Sequence, residues 1–213
     1  CDLAPGDTLP LACDLSEPAS VRAAVASVVQ MGYPLDAIIA NAGISLGTLT
    51  EEADDLPAFA RVLQTNVIGM VHTFHPFIAA MKRARHGRLV GIASVAGIRG
   101  MPGAGAYCAS KAATIAYLES LRVELHGSGV GVSTIAPGYI ATPMTAVNTY
   151  PMPFKLSADE AARRIVRHID RGASYAVVPW QMGLVAKFLR LLPNPLFDRL
   201  FLRAGRKPRN PRH

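Results

Sequence analysis

Apolar runs of strand length alternate along the chain with segments of helical periodicity. The strand candidates are residues 9–13, 35–40, 88–93, 130–136 and 175–178. The helix candidates are a segment entered at Pro18, a long segment from about residue 57, and residues 106–125 and 157–171. Apolar residues in the first two helix candidates recur every three or four positions, which is the period of one helix face.

Strands as apolar as these are expected to be buried on both faces, and their alternation with helices predicts parallel crossover connections. The predicted fold class is therefore α/β, a doubly wound parallel sheet of Rossmann type with helices on both faces, in three layers. Ser16 is expected to cap the first helix. Pro76 is expected to kink or end the long helix.

Composition and charge narrow the class of protein further. Half of the 213 residues are hydrophobic, which suffices for one sizeable core. The net charge is +7, but six basic residues lie in 199–213 and the rest of the chain carries +1, so the body gives no charge signal for nucleic-acid binding. No apolar run reaches the ~18 residues that span a bilayer. With no signal-peptide pattern and no metal-type cysteine spacing, we expect a cytoplasmic protein without a metal site.

The segment from Ser94 to Lys111 carries the strongest chemical pattern. Ser94 ends a predicted strand, which places its hydroxyl at the carboxyl edge of the sheet, where open α/β sheets bind ligands. Tyr107 and Lys111 stand four apart at the start of a helix, so they share one face. A nearby ammonium favours the phenolate, which would suit a tyrosine for acid/base work. Alone, a Tyr-x-x-x-Lys spacing indicates only a solvated helix face.

Three further features follow strands or lie within a buried stripe. Asn41, Ala42 and Gly43 form a turn after the second strand candidate. Asn66 is an amide among apolar residues of the long helix, where a buried polar group needs partners. A loop begins at Pro137 and lies at the same predicted sheet edge. Each feature alone also fits an ordinary turn, a structural amide or a plain loop.

In combination these residues resemble the short-chain dehydrogenase/reductase family over residues 8–180. The order agrees with the family: Asp14 after a strand, the Asn-Ala-Gly turn, a helical Asn66, Ser94, Tyr-x-x-x-Lys, then Pro-Gly and Thr. The resemblance implies an NAD(P)-dependent oxidoreductase that interconverts a carbonyl and an alcohol. It also implies a homo-oligomer.

The resemblance implies a role for each matching residue. Tyr107 is the general acid/base, Lys111 holds the nicotinamide ribose and lowers the tyrosine pKa, and Ser94 orients the substrate. Asn66 completes a proton relay through a water molecule. The implied cofactor contacts are Asp14 and Leu15 on the adenine, Asn41, Ala42 and Gly43 on the adenosine and ribose, Tyr107 and Lys111, and Pro137, Gly138, Ile140 and Thr142 in the nicotinamide loop.

One departure from the family concerns the start of the chain. Family members begin with a strand and a Gly-rich turn that binds the pyrophosphate, whereas Gly6 is the only glycine before Gly32. The sequence is therefore predicted to lack the first βαβ unit, and the choice between NAD and NADP is not readable from it. A catalytically silent fragment that acts as a binding or oligomerisation module is the alternative function.

The substrate side is predicted from apolar residues outside the motifs. Residues 142–156 contain Met144, Val147, Tyr150, Met152 and Phe154, which could roof an apolar pocket together with Val95, Ile98 and Met101. The substrate is expected to be a hydrophobic small molecule. Alternatively, the same residues could serve only to pack the loop of residues 142–156, without lining a pocket.

The chain is divided into a partial Rossmann-like domain, residues 1–180, and an amphipathic helical segment with a basic tail, residues 181–213. The apolar segment with flanking arginines could lie on an anionic membrane surface as a peripheral contact. It could instead pack on the body or on a second subunit, which is the interpretation we favour. The last few residues are expected to be a disordered tail.

Overall fold

The computed structural model of the protein describes residues 9–30, 32 and 35–209. Its strands are β1 (Ala37–Ala40), β2 (Arg88–Ile92), β3 (Gly131–Pro137) and β4 (Tyr175–Val178). Its helices are α1 (Pro18–Gln30), α2 (Leu56–Leu63), α3 (Gly69–Ala84), α4 (Gly105–Glu124), α5 (Pro143–Ala146), α6 (Ala158–Asp170), α7 (Trp180–Leu191) and α8 (Asn194–Phe201). Two short 3-10 turns cover Ala53–Asp55 and Val95–Gly97, and a π-helical turn, Gln64–Ile68, joins α2 to α3.

The four strands form one parallel sheet in the order β1-β2-β3-β4. The register aligns Ile39 with Val90, Val90 with Ser133, and Thr134 with Tyr175. Every connection between neighbouring strands contains helix, because parallel strands need a long crossover. The predicted parallel α/β sheet is confirmed, and its carboxyl edge gathers the segments that follow the strands.

Helices cover both faces of this sheet. Leu89 and Val132 pack on one face against Phe74 of α3 and Leu118 of α4. Val90 and its neighbours pack on the other face, where α6 contributes Ile165 and Ile169. Successive strand residues point to opposite faces, so one apolar run serves both cores. The predicted three layers are therefore present.

The prediction that every strand is buried on both faces fails for β1. Ile38 packs against the core under α3, whereas Ile39, which points to the other face, is exposed. β1 lies at one edge of the four strands, and the main contacts of α6 with the sheet are with β3 and β4. The exposed face of β1 is thus a consequence of where α6 packs.

Two local expectations from the sequence are wrong, and a third is wrong in part: Pro76 does not end the long helix, while a kink at Pro76 stays a prediction. No strand forms over residues 9–13, where Leu9 and Leu11 are exposed, because no strand of the sheet pairs with this run. Ser16 does not cap a helix: its hydroxyl donates to the Asp14 carboxylate, and α1 begins at Pro18. Pro76 does not end the long helix, because α3 continues to Ala84, and buried side chains on both sides of the proline hold α3 on the core.

Several expected features concern the chain ends. Residues 1–8 lie outside the described residues, and the predicted lack of a first βαβ unit stays a prediction. Residues 210–213, where the disordered tail was expected, also lie outside them. Within the described part of the chain, no helix is long and apolar enough to cross a membrane, and no group of three or more potential ligands could hold a metal.

Candidate active site

Ser94 lies just beyond the carboxyl end of β2, where it caps a short 3-10 turn. Its hydroxyl accepts a hydrogen bond of 3.2 Å from the Ala96 backbone N–H and donates one of 3.4 Å to the Pro137 carbonyl. The acceptor belongs to the last residue of β3. The side chain is buried and held between two adjacent strand ends, so its hydroxyl has little freedom to rotate away.

Tyr107 and Lys111 project from the first turns of α4. The Lys111 ammonium donates a hydrogen bond of 2.8 Å to the Ile92 carbonyl at the end of β2, and it lies 5.8 Å from the centre of the Tyr107 ring. The helix and the strand end can approach each other because Gly97 has no side chain: an added Cβ there would stand 2.6 Å from the carbonyl carbon of Lys111. The tertiary structure thus brings Ser94, Tyr107 and Lys111 together at one sheet edge.

Burial controls the ionisation of both titratable groups. It raises the pKa of the Tyr107 phenol, and the nearby Ser94 hydroxyl partly offsets this rise. Burial lowers the pKa of Lys111 to about 8, because an ammonium that is 4% exposed has lost most of its hydration. The expectation that Lys111 lowers the pKa of Tyr107 is therefore wrong for this structure, because burial of the phenol outweighs any such effect. Tyr107 is a protonated phenol, which is the form that donates a proton.

Asn66 is fully buried in the π-helical turn and faces the loop that follows β1. Its side-chain oxygen accepts from the Ile44 backbone N–H at 2.8 Å, and its amide nitrogen donates to the Ile44 carbonyl and the Ser110 hydroxyl, each at 2.9 Å. The position of an added Cβ on Gly43 lies 3.1 Å from that oxygen and 3.6 Å from the Lys111 nitrogen. Asn66 therefore fixes the turn after β1 beside Lys111.

The remaining predicted cofactor residues lie in three places. Asn41, Ala42 and Gly43 follow β1 directly. Pro137 ends β3, and the Gly138 backbone N–H donates a hydrogen bond to the Val178 carbonyl. Ile140 forms an isolated β-bridge with Leu156, and Thr142 caps α5. Asp14 is exposed, and its carboxylate accepts from the backbone and hydroxyl of Ser16, which lowers its pKa. The Leu15 carbonyl lies 3.1 Å from a ring nitrogen of His72.

A cavity of about 440 Å³ opens beside the Ser94 and Tyr107 side chains. Of the predicted roof, Val95, Ile98, Met101, Met144 and Tyr150 line it, whereas Val147, Met152 and Phe154 do not. Val147 and Phe154 are instead half exposed. The volume suits a small organic molecule, since ligand pockets usually enclose about 300–1,000 Å³.

The C-terminal segment packs on β4 and the turn after β2, in agreement with the favoured expectation that it packs on the body. It also supplies a wall of the cavity, which the sequence did not indicate. Its residues on the cavity are Met182, Val185, Ala186, Leu189, Phe201, Ala204, Gly205 and Lys207. Arg99 fixes this wall: its guanidinium donates to the carbonyls of Leu189 and Leu192 and stacks on the Phe197 ring at 3.8 Å from the ring centre. The apolar residues of the C-terminal segment were the one signal in the sequence for this packing.

Lys111 is also the residue best placed to hold a polar ligand group. An ammonium has three donors, and among the described residues its one hydrogen-bond acceptor is the Ile92 carbonyl. The two remaining donors are buried near the Tyr107 ring. Two ligand hydroxyls, such as those of a ribose, would satisfy them, so these residues fit the sugar of a dinucleotide.

Comparison with known proteins gives one family. The family model described as short chain dehydrogenase matches residues 3–151. An "Uncharacterized oxidoreductase" of Myxococcus xanthus is 39% identical over 164 residues, which are 77% of this chain and 64% of that protein. The "Dehydrogenase/reductase SDR family member 7B" of Bos taurus is 32% identical over 212 residues, 94% of this chain and 65% of that protein.

The fold agrees with solved structures of the same kind. A short chain dehydrogenase from Burkholderia cenocepacia, crystallised in complex with NADP, superposes with a TM-score of 0.80 at 24% identity, covering 93% of this chain and 81% of that one. The chain thus spans slightly less than two thirds of the length of both curated relatives.

Proposed function

The chain belongs to the short-chain dehydrogenase family, and from that premise we propose that it interconverts a carbonyl and an alcohol with NAD or NADP. The observation that carries the proposal is the convergence of Ser94, Tyr107 and Lys111. Two of them line the apolar cavity, and the third is buried behind the tyrosine ring. No packing requirement explains a buried ammonium at this position, since burial of an unpaired charge costs free energy.

Each of the three residues has a distinct task in the proposed reaction. Tyr107 donates the proton of its phenol to the substrate oxygen during reduction and takes a proton back during oxidation. Ser94, whose oxygen is held at the strand end, turns its one hydroxyl proton from the long contact with the Pro137 carbonyl to the same substrate oxygen and orients it. Lys111 places positive charge near the tyrosine ring, and its charge stabilises the phenolate that forms when the proton leaves.

NAD or NADP, when bound, supplies or accepts the hydride at the carbon of the same carbonyl group. Lys111 would hold the ribose beside the nicotinamide, and the segments after β1 and β3 would flank the cofactor, through Asn41, Ala42, Gly43, Pro137, Gly138, Ile140 and Thr142. Asp14 and Leu15 stand near α3 and would contact the adenine end. Asn66 positions the turn after β1 and completes the relay of protons from Lys111 through a water molecule.

The substrate is an apolar ketone, aldehyde or secondary alcohol. The cavity wall is formed mainly by Ile98, Met101, Met144, Leu189 and Phe201. Polar residues such as Thr145, Asn148 and Lys207 also border this space, but apolar residues form most of its wall. Polar substituents on a substrate would lose their hydration against that apolar wall. Turnover is expected to increase with alkyl chain length until the cavity is filled, whereas a preference for small sugars would contradict this choice.

Replacing Tyr107 by Phe tests the reaction directly. In the complete protein we expect Tyr107→Phe to lower kcat by roughly 10²–10⁴-fold, because the proton donor is lost while the ring is kept. Cofactor affinity, measured by nicotinamide fluorescence, should change little. Tyr117→Phe, on the same helix but packed against the core under α3, is the control and should keep its activity. Near-normal turnover of Tyr107→Phe would refute the assignment.

A catalytically silent module is the competing function, and cofactor titration separates the two. If the complete protein binds neither NADH nor NADPH, the enzyme proposal fails and the module remains. If it binds one of them and Lys111→Met weakens that binding, the enzyme proposal is supported. Assembly into a homo-oligomer and a cytoplasmic location both stay predictions. Analytical ultracentrifugation measures the former.

The outer face of α7 supports a second proposal, a peripheral contact with an anionic membrane surface. Trp180, Leu184, Phe188 and Leu191, here called the ridge, lie along one side of α7 and are all exposed; Leu191 is 82% exposed. Residues 180–206 contain five basic side chains and one acidic one. An exposed apolar stripe with a basic flank is typical of helices that lie in the interface of an anionic bilayer.

Sedimentation with liposomes tests the ridge. The complete protein should cosediment with vesicles that contain phosphatidylserine and less with neutral vesicles, and Phe188→Asp should abolish the difference. Glu124→Gln on α4 is a control outside the ridge. If Phe188→Asp instead converts a dimer to a monomer without changing vesicle binding, the ridge is a contact between subunits and the membrane proposal is wrong.

A further inference from the structure

We propose that residues 204–209, here called the strap, close the substrate cavity and that an ion pair between Arg209 and Asp55 latches the strap in place. The latch would thereby limit the length of the substrate. This inference rests on the proposed function for its substrate class, while the position of the strap is independent of any reaction. These residues were predicted to belong to a basic tail beyond the Rossmann-like part of the chain.

The strap runs along the cavity and contacts the loop that precedes α6. Ala204, Gly205 and Lys207 line the cavity directly. The Lys207 ammonium donates a hydrogen bond of 3.1 Å to the Met144 carbonyl, and burial lowers the pKa of this lysine. Gly205 packs against Tyr150, where an added Cβ would lie 2.8 Å from the tyrosine Cβ. The strap is therefore part of the wall that a substrate would touch.

The latch holds the end of the strap on the body. Asp55, at the start of α2, is 2% exposed, and one of its carboxylate oxygens accepts from the Leu49 N–H at 2.8 Å and from Arg209 Nε at 2.8 Å. A second guanidinium nitrogen of Arg209 lies 3.3 Å from the other oxygen, and a third donates to Glu52 at 3.2 Å. Two-pronged arginine–carboxylate contacts combine charge with a fixed orientation.

A second contact depends on shape instead of charge. The strap backbone passes Gly47 so closely that an added Cβ there would lie 2.4 Å from the Lys207 carbonyl oxygen and 2.7 Å from that of Pro208. Gly47 also forms an isolated parallel bridge with Arg209. A methyl group at position 47 would displace the strap without removing a charge, which provides an independent way to open it.

Besides these contacts, the strap touches the body at Gly103, where an added Cβ would lie 3.1 Å from the Cβ of Arg206. Gly205, Arg206 and Pro208 are exposed, and the strap contains no regular helix or strand. The other cavity walls belong to α4, the turn after β2, α7, α5, α8 and the loop at residues 148–153. Of these, α4, the turn after β2 and α7 pack on the sheet or on one another. Release of the latch would therefore extend the cavity on the strap side and leave the position of Ser94 and Tyr107 unchanged. Longer substrates would gain most from that change.

Two variants open the strap by different means, and each has a matched control. Arg209→Gln removes the latch, and Arg199→Gln, an exposed arginine on α8, makes the same charge change elsewhere. Gly47→Ala displaces the strap, and Gly100→Ala adds a methyl group where nothing lies within 4 Å. The complete protein is used throughout.

Hydrogen exchange and ligand competition provide the two readouts. Amide exchange over residues 204–209 should accelerate in Arg209→Gln and Gly47→Ala and stay native in the controls. Methyl ketones from butanone to dodecanone then compete with 8-anilinonaphthalenesulfonate for the cavity. The affinity ratio of the longest to the shortest ketone should rise about tenfold or more in both variants, since each fitted methylene changes discrimination by roughly tenfold or more.

Each result decides the proposal without a measurement of turnover. Native exchange in both variants would overturn the latch. Faster exchange with an unchanged ratio of long-ketone to short-ketone affinity would overturn the role of the strap in selectivity. Equal effects of Arg199→Gln and Arg209→Gln would show that the loss of any positive charge, and not the loss of the latch, opens the strap. A complete protein that reduces no carbonyl would contradict the proposed function, yet the exchange and competition results would still decide the strap.

Discussion

The Lys111 ammonium donates a hydrogen bond of 2.8 Å to the Ile92 carbonyl, two residues before Ser94. This contact joins the first turns of α4 to the end of β2, so Tyr107 and Ser94 share one anchor. The ammonium is buried, and burial lowers its pKa to about 8. The site therefore holds a charge where the protein would be more stable without one.

Lys111→Met is expected to stabilise the protein at neutral pH while it lowers kcat/KM. Between pH 8 and 10.5 the unfolded chain binds more protons at this residue than the folded one, so the native free energy of unfolding should rise with pH across that window. The shift corresponds to roughly 3 kcal/mol. Urea unfolding at both ends of the window should show this slope in the native protein and not in Lys111→Met.

The exposed residue Lys155 provides the control for this experiment. Lys155→Met removes an ammonium of the same kind from solvent and should leave both the stability and the slope unchanged. If Lys111→Met proves less stable than the native protein at pH 7, the hydrogen bond to Ile92 outweighs the desolvation of the ammonium. The buried charge of Lys111 would then not destabilise the folded protein, contrary to this prediction.

Acid should weaken the latch between Asp55 and Arg209. The Leu49 N–H, followed by Arg209, holds the pKa of the Asp55 carboxyl below its usual value of 3.8. The unfolded chain therefore binds the proton first as pH falls, so the stability that Asp55 contributes is complete above that usual value and is lost as pH falls through the folded pKa. The difference in unfolding free energy between the native protein and Asp55→Asn should be larger at pH 6 than at pH 2.5.

Gly97→Ala is expected to disturb the site through the backbone. The added Cβ would stand 2.6–2.8 Å from the carbonyl group of Lys111 and the Ala112 nitrogen, and neither can move without shifting α4. We expect a loss of about 1–3 kcal/mol in unfolding free energy, as for other overpacked positions, and a lower kcat. Gly100→Ala, in the same loop but with open space around it, should leave thermal unfolding and turnover close to native.

Arg99→Lys should loosen the C-terminal wall of the cavity. Lysine keeps the charge but loses the planar fork that donates to Leu189, Leu192 and Asn194, and it loses the stacking on Phe197. KM for an apolar ketone is expected to rise severalfold with kcat less affected, because the wall binds substrate while the reacting residues stand elsewhere. Arg122→Lys, exposed on α4, is the control, and equal KM values for both variants would contradict this role.

Much of the fold follows from local patterns in the sequence. The apolar runs that became β2, β3 and β4 and the helical periods of α4 and α6 were predicted to within about a residue at each end. The spacing of Tyr107 and Lys111 placed both on one face of a helix, and Ser94 was correctly placed beyond a strand. These features depend on residues close in sequence, whose geometry the period of a helix or strand decides.

Other features depend on contacts between residues far apart in the sequence. Nothing near Asn66 in the sequence indicates that its amide would bind Ile44, and nothing near Asp55 indicates a partner 154 residues later. The run at residues 9–13 has the composition of a strand, but a strand needs a neighbour for its backbone hydrogen bonds, and that neighbour is chosen by the whole sheet.

The sequence by itself thus determined the parallel α/β class and identified Ser94, Tyr107 and Lys111 as the residues of the proposed chemistry, because both are encoded in short-range spacing. The tertiary structure decided which residues enclose that chemistry. The wall formed by α7, α8 and the strap depends on how distant segments pack, and packing follows the shape and charge of surfaces that exist only after the chain has folded.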